Sequence, residues 1–174
     1  MITVAIAADH DDKKFGYTLN QIFSRYFALQ KEQGLSHSFV VKDFDSLCSG
    51  GEVPEALLII YKNICTIKKE KIPSQALAVV DSTNRELVHF VSKTKLPAIT
   101  CGMASMDTIT LSSITEESAV INLQRTITCL DGQLVEPQEI PIKLHSAAGK
   151  YAIMAAAAAL IASGCLDILT SGGL

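Results

Sequence analysis

The stretch from Pro141 to Gly164, which reads PIKLHSAAGKYAIMAAAAALIASG, decides the fold. A short apolar segment leads to a short polar turn at Ser146, and a helix made largely of alanine follows. No charged side chain occurs from Tyr151 to Leu166. A soluble surface helix keeps one polar face, so a helix that is apolar all round is a buried one. The stretch therefore predicts a core helix packed against a sheet, with Ser146 as its candidate N-cap.

Membrane insertion is the alternative interpretation of the same helix. The uncharged run is shorter than the roughly 20 apolar residues that a bilayer requires, so we expect no membrane segment. Alanine combines the highest helix propensity with a very small side chain, which lets neighbouring elements approach closely. These properties favour a close-packed protein core.

Length and composition limit the class of protein. A chain of 174 residues with 48% hydrophobic content suits one soluble domain that buries about two thirds of its unfolded surface. The net charge is −3, and acids and bases alternate along the chain, so no basic surface for nucleic acid is predicted. We expect a single domain over residues 1–174.

The five cysteines indicate the redox compartment. They are widely spaced and odd in number, and they form no CxxC pair, which argues against a disulfide framework and against a zinc site. The N-terminus shows no basic region followed by a small-residue cleavage site, which a secretory signal would carry. We therefore expect reduced thiols and a cytoplasmic protein.

The first hundred residues alternate between predicted strands and predicted helices. Continuous apolar runs such as ITVAIA and ALLIIY are typical of strands that are buried on both faces. The predicted strands are Ile2–Ala7, Ser38–Val41, Ala56–Tyr61, Ala76–Val80 and Pro97–Cys101. The predicted helices are Tyr17–Leu29, Asn63–Lys71 and a third that Thr83 or Asn84 caps and that ends near Val91. This alternation predicts a parallel sheet with right-handed crossovers.

The pattern changes between residues 107 and 144. Three strand-like runs follow one another there, namely Thr108–Thr115, Ala119–Leu130 and Leu134–Leu144. The dipeptide Asp131-Gly132, between the last two runs, is a strong hairpin signal. The predicted fold class is therefore α/β, with a mostly parallel sheet flanked by helices and a small antiparallel meander near residues 107–144.

The loop after the first strand is the first candidate for chemistry, because phosphates bind where a parallel strand leads into a helix N-terminus. Here the loop reads AADHDDKK, from Ala7 to Lys14. A phosphate cradle needs glycines, none occurs before Gly16, and the three aspartates would repel a polyphosphate. Lys13 and Lys14 could still reach an anion, and the aspartates could hold a divalent metal. A solvated acidic turn is the alternative, which we favour.

Asp81 is the second candidate, because it ends the fourth strand at the edge where open α/β sheets bind ligands. The alternative is an aspartate that caps a helix or closes a turn, which we favour. The acids and His10 of the first loop resemble a metal cluster, but adjacent side chains seldom point at one centre, so we expect no metal site. Cys101 ends the fifth strand beside Gly102, and nothing nearby indicates a lowered thiol pKa.

The order of motifs from Gln75 to Gly164 resembles the central domain of the Mur ligases, a family that includes the folylpolyglutamate synthetases. The matching motifs are ALAVVDSTNREL, LPAITCG, the hairpin at Asp131-Gly132 and PIKLHSAAGKYAIMAAAAALIASG. In that family a strand ends in Asn-x-Asp-Asp, a strand ends in Phe-Gly, and a small meander follows. A segment like Leu-x-Gly-x-His-Asn-x-x-Asn-Ala then enters an alanine-rich helix. The first half of the chain resembles the family only in topology.

The resemblance also implies which groups this chain has lost. The family binds ATP with a GTNGKT-type loop, where this chain carries DHDDKKF. The family's His-Asn pair falls on Ala147 and Ala148, the later Asn falls on Tyr151, and the Asn-x-Asp-Asp stretch remains at most as Asp81. The family's metal-binding residues after the third strand are replaced by YKNICTIKKEK. We expect neither the N-terminal substrate domain nor the C-terminal ligase domain of the family.

We therefore expect a stand-alone, degenerate Mur-ligase-like middle domain that acts as a non-catalytic binding or scaffolding protein. It would have no catalytic residues and no cofactor, and it would form a homo-oligomer or bind a partner protein. The alternative is an ATP-dependent acid–amino-acid ligase-type enzyme, or its nucleotide-binding subunit, which would hold ATP and Mg through Lys13, Lys14 and Asp81. A third alternative is a different α/β domain, without a meander beside the parallel sheet.

Overall fold

The computed structural model describes residues 2–8, 13–32, 39–44, 54, 56–62, 72, 76–172 and 174. The strands in these ranges are β1 (Ile2–Ala7), β2 (Phe39–Asp43), β3 (Ala56–Tyr61), β4 (Leu77–Asp81), β5 (Ala98–Cys101), β6 (Ile109–Ile114), β7 (Ser118–Leu123), β8 (Ile127–Thr128), β9 (Leu134–Val135) and β10 (Gln138–Lys143). The helices are α1 (Lys13–Glu32), α2 (Arg85–Thr94), α3 (Lys150–Ala162) and α4 (Leu166–Gly172).

Eight of the strands form one sheet in the order β10-β7-β6-β5-β4-β3-β1-β2. The strands from β2 to β6 in this sheet pair in parallel. β7 pairs antiparallel with β6, and β10 pairs antiparallel with β7. The predicted α/β class is confirmed, and the meander extends one edge of the parallel sheet. β8 and β9 form a separate two-stranded hairpin.

Helices cover both faces of the sheet. Side chains alternate between the faces along each strand, so Val4 and Ile6 point toward α1, α3 and α4, while Ala5 and Ala7 point toward α2. The strands β1, β3 and β4 of the parallel part are apolar at almost every position because both of their faces are buried. Within the described residues, no helix is both long enough and apolar enough to cross a membrane.

Helix α3 is the alanine-rich helix, and it lies in the centre of one helical layer. Every residue from Tyr151 to Ala162 is buried. The helix contacts α1, α4 and the four central strands β3 to β6, and its C-terminal end contacts β8. The prediction of a core helix that is apolar all round is therefore confirmed.

The prediction that Ser146 caps this helix is wrong. The N-cap is Gly149, which makes no side-chain hydrogen bond, and Ser146 lies exposed in the segment before it. Leu144 and His145 prolong the path of β10, because their N–H groups donate to Glu117 O at 2.8 Å and to Leu174 O at 2.7 Å. The residues after His145 are then needed for the turn that leads into the helix. The N-cap therefore lies at Gly149 instead of Ser146.

The two longer predicted runs of the meander are each divided in two. The first becomes β7 and β8, and the second becomes β9 and β10. After β7, Gln124 N still donates to Thr108 O. The chain then leaves the sheet, and Leu130 N donates to Ala162 O at the end of α3. The hairpin at Asp131-Gly132 is confirmed, with Gly132 at φ +87°. A left-handed backbone conformation of this kind favours glycine.

Some element boundaries differ from prediction. Helix α1 begins at Lys13 rather than at Tyr17, so the predicted loop is shorter. The chain after Gly164 forms α4, and Leu174 then pairs with β10 through its N–H bond to Lys143 O. The predicted helix at Asn63–Lys71 and the loop residues 9–12, which read DHDD, lie outside the described residues.

Asn84 is the N-cap of α2, and its side-chain oxygen accepts a hydrogen bond of 3.2 Å from Leu87 N. We expect Asn84→Ala to lower the free energy of unfolding by about 1 kcal/mol, because the amide at the start of the helix loses its acceptor. Urea denaturation measures this loss. Asn84→Asp keeps an accepting oxygen and should retain most of the stability, so an equal loss in both variants would contradict the capping role.

Candidate functional site

The carboxyl ends of the parallel strands form the candidate site. Ligands of open α/β sheets bind outside these ends, at the point where the strand order reverses. Here the order reverses at β1, which has β2 on one side and β3 on the other. Helix α1 begins at this edge because it follows β1. Helix α3 also begins there, because β10 runs in the same direction as the parallel strands.

Two buried aromatic rings occupy the space between the beginnings of α1 and α3. The rings of Phe15 and Tyr151, which we call the aromatic plug, stack with centroids 5.4 Å apart and planes 7° apart. The Tyr151 hydroxyl donates to Tyr61 O at 2.5 Å and lies 3.3 Å from Val79 O. The plug therefore ties α1 and α3 to the end of β3 and to the middle of β4.

Lys62 lies against the aromatic plug directly after β3. Its Nζ is 5.6 Å from the centroid of the Phe15 ring and 5.5 Å from that of the Tyr151 ring. An ammonium within about 6 Å of a ring centroid is attracted by the negative face of the ring. The Lys62 N–H also donates to Ala7 O at the end of β1. A cation is thus held at the point where the strand order reverses.

The hydroxyl of Tyr151 remains protonated at neutral pH. Burial raises its pKa well above the ordinary value for tyrosine, and the nearby Cys101 and Asp81 raise it further, because an ionised thiol or carboxylate beside the ring disfavours a phenolate. A protonated hydroxyl can keep donating to the strand carbonyls. Tyr151 is therefore a fixed structural donor.

The thiol of Cys101, at the end of β5, is also held in its protonated form. Burial raises its pKa well above the ordinary value, and Asp107 and Asp81 add to the effect. The thiolate is the nucleophilic form of cysteine, so a raised pKa lowers the reactivity of this residue. Cys101 is accordingly an inert core residue, in agreement with its sequence context.

Asp81 serves the turn between β4 and α2. Its Oδ1 accepts from Thr83 N at 2.9 Å and from Thr83 Oγ1 at 2.6 Å, and its carbonyl accepts from Asn84 N. Asp81 is half-buried and leads directly to the cap of α2. This geometry agrees with the alternative interpretation of Asp81, in which the aspartate closes a turn.

The loop after β5 is held at the same sheet edge by a buried carboxylate. Asp107 accepts from Ala104 N at 2.9 Å. A Cβ added at Gly102 would lie 2.1 Å from Ser82 Oγ and 2.4 Å from Asp107 Oδ2. Only glycine therefore fits without displacing one of these two side chains.

Lys13 and Lys14 lie exposed in the first turn of α1, which contains no acidic side chain. They share the sheet edge with Asp81, but Asp81 ends β4, which is separated from β1 by β3. The structure thus brings the three predicted residues to one edge without a described contact between the lysines and Asp81. In the ranges that the structure describes, no group of three or more histidine, cysteine or acidic residues could hold a metal.

The sequence did not indicate Phe15, Lys62 or Asp107 as site residues, and it indicated Tyr151 only as the position of a lost ligand. Phe15 and Tyr151 are distant in sequence, and both look like ordinary core residues. Two signals were available in the sequence. Lys62 comes directly after the buried strand β3, and Asp107 comes shortly after Gly102, the glycine that follows β5. The edge offers cations around the start of α1, and protonated groups lie at the ends of β3 and β5, namely the Tyr151 hydroxyl and the Cys101 thiol.

Comparisons with known proteins add no family to this geometry. A scan against models of protein families found no match, and a search of curated proteins also found no match.

Proposed function

We propose that this chain is a Mur-ligase-like domain that acts as a non-catalytic binding or scaffolding protein. The aromatic plug carries the proposal. In the family that the sequence resembles, residues at the start of the alanine-rich helix hold the nucleotide. The corresponding Tyr151 instead stacks on Phe15 and donates its hydroxyl proton to the end of β3. The start of the helix is therefore used for packing.

The other polar groups at the edge support the same proposal. Phosphoryl transfer requires a positioned phosphate and groups that neutralise its developing charge. Asp81 is engaged in a turn, and the raised pKa values of Cys101 and Tyr151 keep both groups protonated. In the described geometry these groups serve the packing of strands and loops. This use is consistent with a non-catalytic scaffolding protein.

A nucleotide-binding or ligase-type protein is the second candidate, and the cations favour it. Lys13 and Lys14 lie in the first turn of α1, and Lys62 lies at the neighbouring strand end. The N-terminus of a helix attracts anions through its free N–H groups and its dipole. In this candidate the lysines hold the phosphates of ATP with Mg, and Asp81 contributes at the neighbouring strand end.

Titration calorimetry with Mg-ATP separates the two candidates. We expect no saturable heat and no shift in melting temperature for the non-catalytic protein. A bound nucleotide at 100 times its dissociation constant would stabilise the fold by about 2.7 kcal/mol. If stabilisation occurs and disappears in Lys13→Ala/Lys14→Ala, the non-catalytic proposal is wrong. Lys42→Ala, an exposed lysine on β2, is the matched control.

We also propose that the protein is cytoplasmic and forms a homo-oligomer or a complex with a partner protein. Light scattering after size-exclusion chromatography measures the mass of the purified chain. A mass that is a multiple of 18.7 kDa supports the homo-oligomer. A monomer at all concentrations removes the homo-oligomer from the proposal.

A further inference from the structure

Two side-chain oxygens approach the same point at the ends of β4 and β5. Ser82 follows β4, Gly102 follows β5, and Asp107 precedes β6. A Cβ at Gly102 would lie 2.1 Å from Ser82 Oγ and 2.4 Å from Asp107 Oδ2, so both oxygens point into the space that a side chain would fill. Because the φ of Gly102 is not positive, this close approach, and not the backbone conformation, is the reason for a glycine here. We call Ser82 Oγ and the Asp107 carboxylate the oxygen pair.

Backbone hydrogen bonds hold the segments that carry the oxygen pair. Ser82 N donates to the end of β5 at 3.0 Å, and Gly102 N donates to the start of β6 at 3.1 Å. Asp107 N donates to Ala104 O at 3.0 Å, which closes the turn before β6. Both side chains of the pair therefore start from fixed points on the sheet edge.

The carboxylate of Asp107 is buried and has no cation beside it. Its side chain is only 3% exposed. Oδ2 accepts one hydrogen bond, of 2.9 Å from Ala104 N, and no basic side chain in the described part of the chain pairs with the carboxylate. A buried carboxylate is costly unless it is paired, bound to a metal or bonded by several N–H groups. One N–H group offsets only part of this cost, so the position favours an added cation.

The hydroxyl of Ser82 can serve as a second ligand. Ser82 is half-buried, so water and small ions reach it, and its Oγ makes no hydrogen bond to the residues that the structure describes. Hydroxyl and carboxylate oxygens are hard ligands, which suit Mg²⁺ and Mn²⁺ better than soft metals. Mg²⁺ keeps several of its water molecules and takes only one or two carboxylates from a protein. The oxygen pair meets this requirement.

We propose that Ser82 and Asp107 bind a hard divalent cation such as Mg²⁺ or Mn²⁺ beside Gly102. Asp107 supplies the negative charge, Ser82 supplies a neutral oxygen, and water molecules complete the coordination. The site contains none of the residues predicted to hold a nucleotide, and its test contains no nucleotide. A failure of this proposal is therefore distinguishable from a failure of the proposed function.

Titration of the 15N-labelled chain with MnCl2 tests the proposal, because paramagnetic Mn²⁺ broadens the NMR signals of nearby nuclei. We expect saturable broadening of the amide signals of Ser82, Gly102, Ala104 and Asp107, with a dissociation constant in the millimolar range or below. MgCl2 should reverse the broadening by competition. NaCl at the same ionic strength should not, since it only screens charge.

Two variants and a matched control test the assigned ligands. Asp107→Asn should weaken Mn²⁺ binding about tenfold or more, because the amide lacks the charge while its oxygen can still accept from Ala104 N. Ser82→Ala should weaken Mn²⁺ binding about threefold, because one neutral ligand is lost. Asp167→Asn removes an exposed carboxylate in the first turn of α4 and should bind as the wild type does.

Several outcomes would overturn the proposal. These are the absence of saturable broadening, broadening centred elsewhere in the chain, and unchanged affinity in Asp107→Asn. An equal loss of affinity in Asp107→Asn and Asp167→Asn would also overturn it, since that result indicates nonspecific attraction to a negatively charged chain. Amide spectra without metal verify that each variant folds. If Asp107→Asn does not fold, Ser82→Ala decides, and unchanged Mn²⁺ affinity in that variant contradicts the site.

Discussion

Ala157→Asp should prevent stable folding. Ala157 is completely buried in α3, which packs against other elements on all sides. An aspartate there either buries an unpaired carboxylate, which costs about 3 to 5 kcal/mol, or forces α3 out of the layer. Natural domains have a total stability of about 5 to 15 kcal/mol, so this loss removes a large part of it. Urea denaturation followed by circular dichroism measures the effect.

Ala147→Asp is the matched control, because Ala147 lies exposed just before the same helix. We expect its unfolding midpoint to remain close to that of the wild type. Ala157→Leu tests packing without charge and should cost about 1 to 3 kcal/mol, since extra methylenes must displace well-packed neighbours. A wild-type midpoint for Ala157→Asp would show that α3 is not enclosed on all sides.

The protein should lose stability steeply in alkaline solution. Burial raises the pKa of Tyr151 and of Cys101 in the folded chain. In the unfolded chain the pKa of a thiol is about 8.5 and that of a tyrosine is about 10. The unfolded state therefore releases protons first, and the stabilising contribution of each group is complete below these values and is lost as pH rises toward the folded pKa. The free energy of unfolding should fall by about 1.4 kcal/mol per pH unit for each group in its window.

Urea denaturation at a series of pH values between about 7 and 11 measures this slope, which covers both ordinary pKa values. Tyr151→Phe should lower stability at neutral pH by about 1 to 3 kcal/mol, because Tyr61 O loses its donor. Above about pH 10 the same variant should show a shallower slope than the wild type. Asn84→Ala is the control, because it lowers stability without removing an ionisable group and should keep the wild-type slope. An unchanged slope in Tyr151→Phe would contradict the raised pKa.

Most of the architecture followed from apolar patterning. The runs at β1 and β3 are continuous because both faces of the sheet are covered, and the alanine-rich run has no polar face because α3 is enclosed. The hairpin at Asp131-Gly132 was predictable because its backbone conformation requires a residue such as glycine. These are local requirements, and they remain visible in the sequence.

The details that depend on distant contacts could not be predicted in this way. Ser146 has the side chain of a good N-cap, but backbone bonds from Leu144 and His145 prolong β10 and move the helix start to Lys150. The stacking of Phe15 on Tyr151 joins residues from opposite ends of the chain. The hydrogen bond from Leu174 N to Lys143 O likewise depends on the packing of α4 beside β10, which only the tertiary fold brings together.

The composition of α3 has a consequence for the entropy of folding. Alanine has no side-chain rotamers to lose, whereas a long side chain loses up to about 2 kcal/mol of conformational freedom when it is buried. The central alanines, Ala155 to Ala159, are all completely buried. This part of the core therefore becomes ordered at the cost of backbone entropy alone. The same absence of rotamers leaves it no way to repack, so tolerance to substitution here should be low even for small apolar changes.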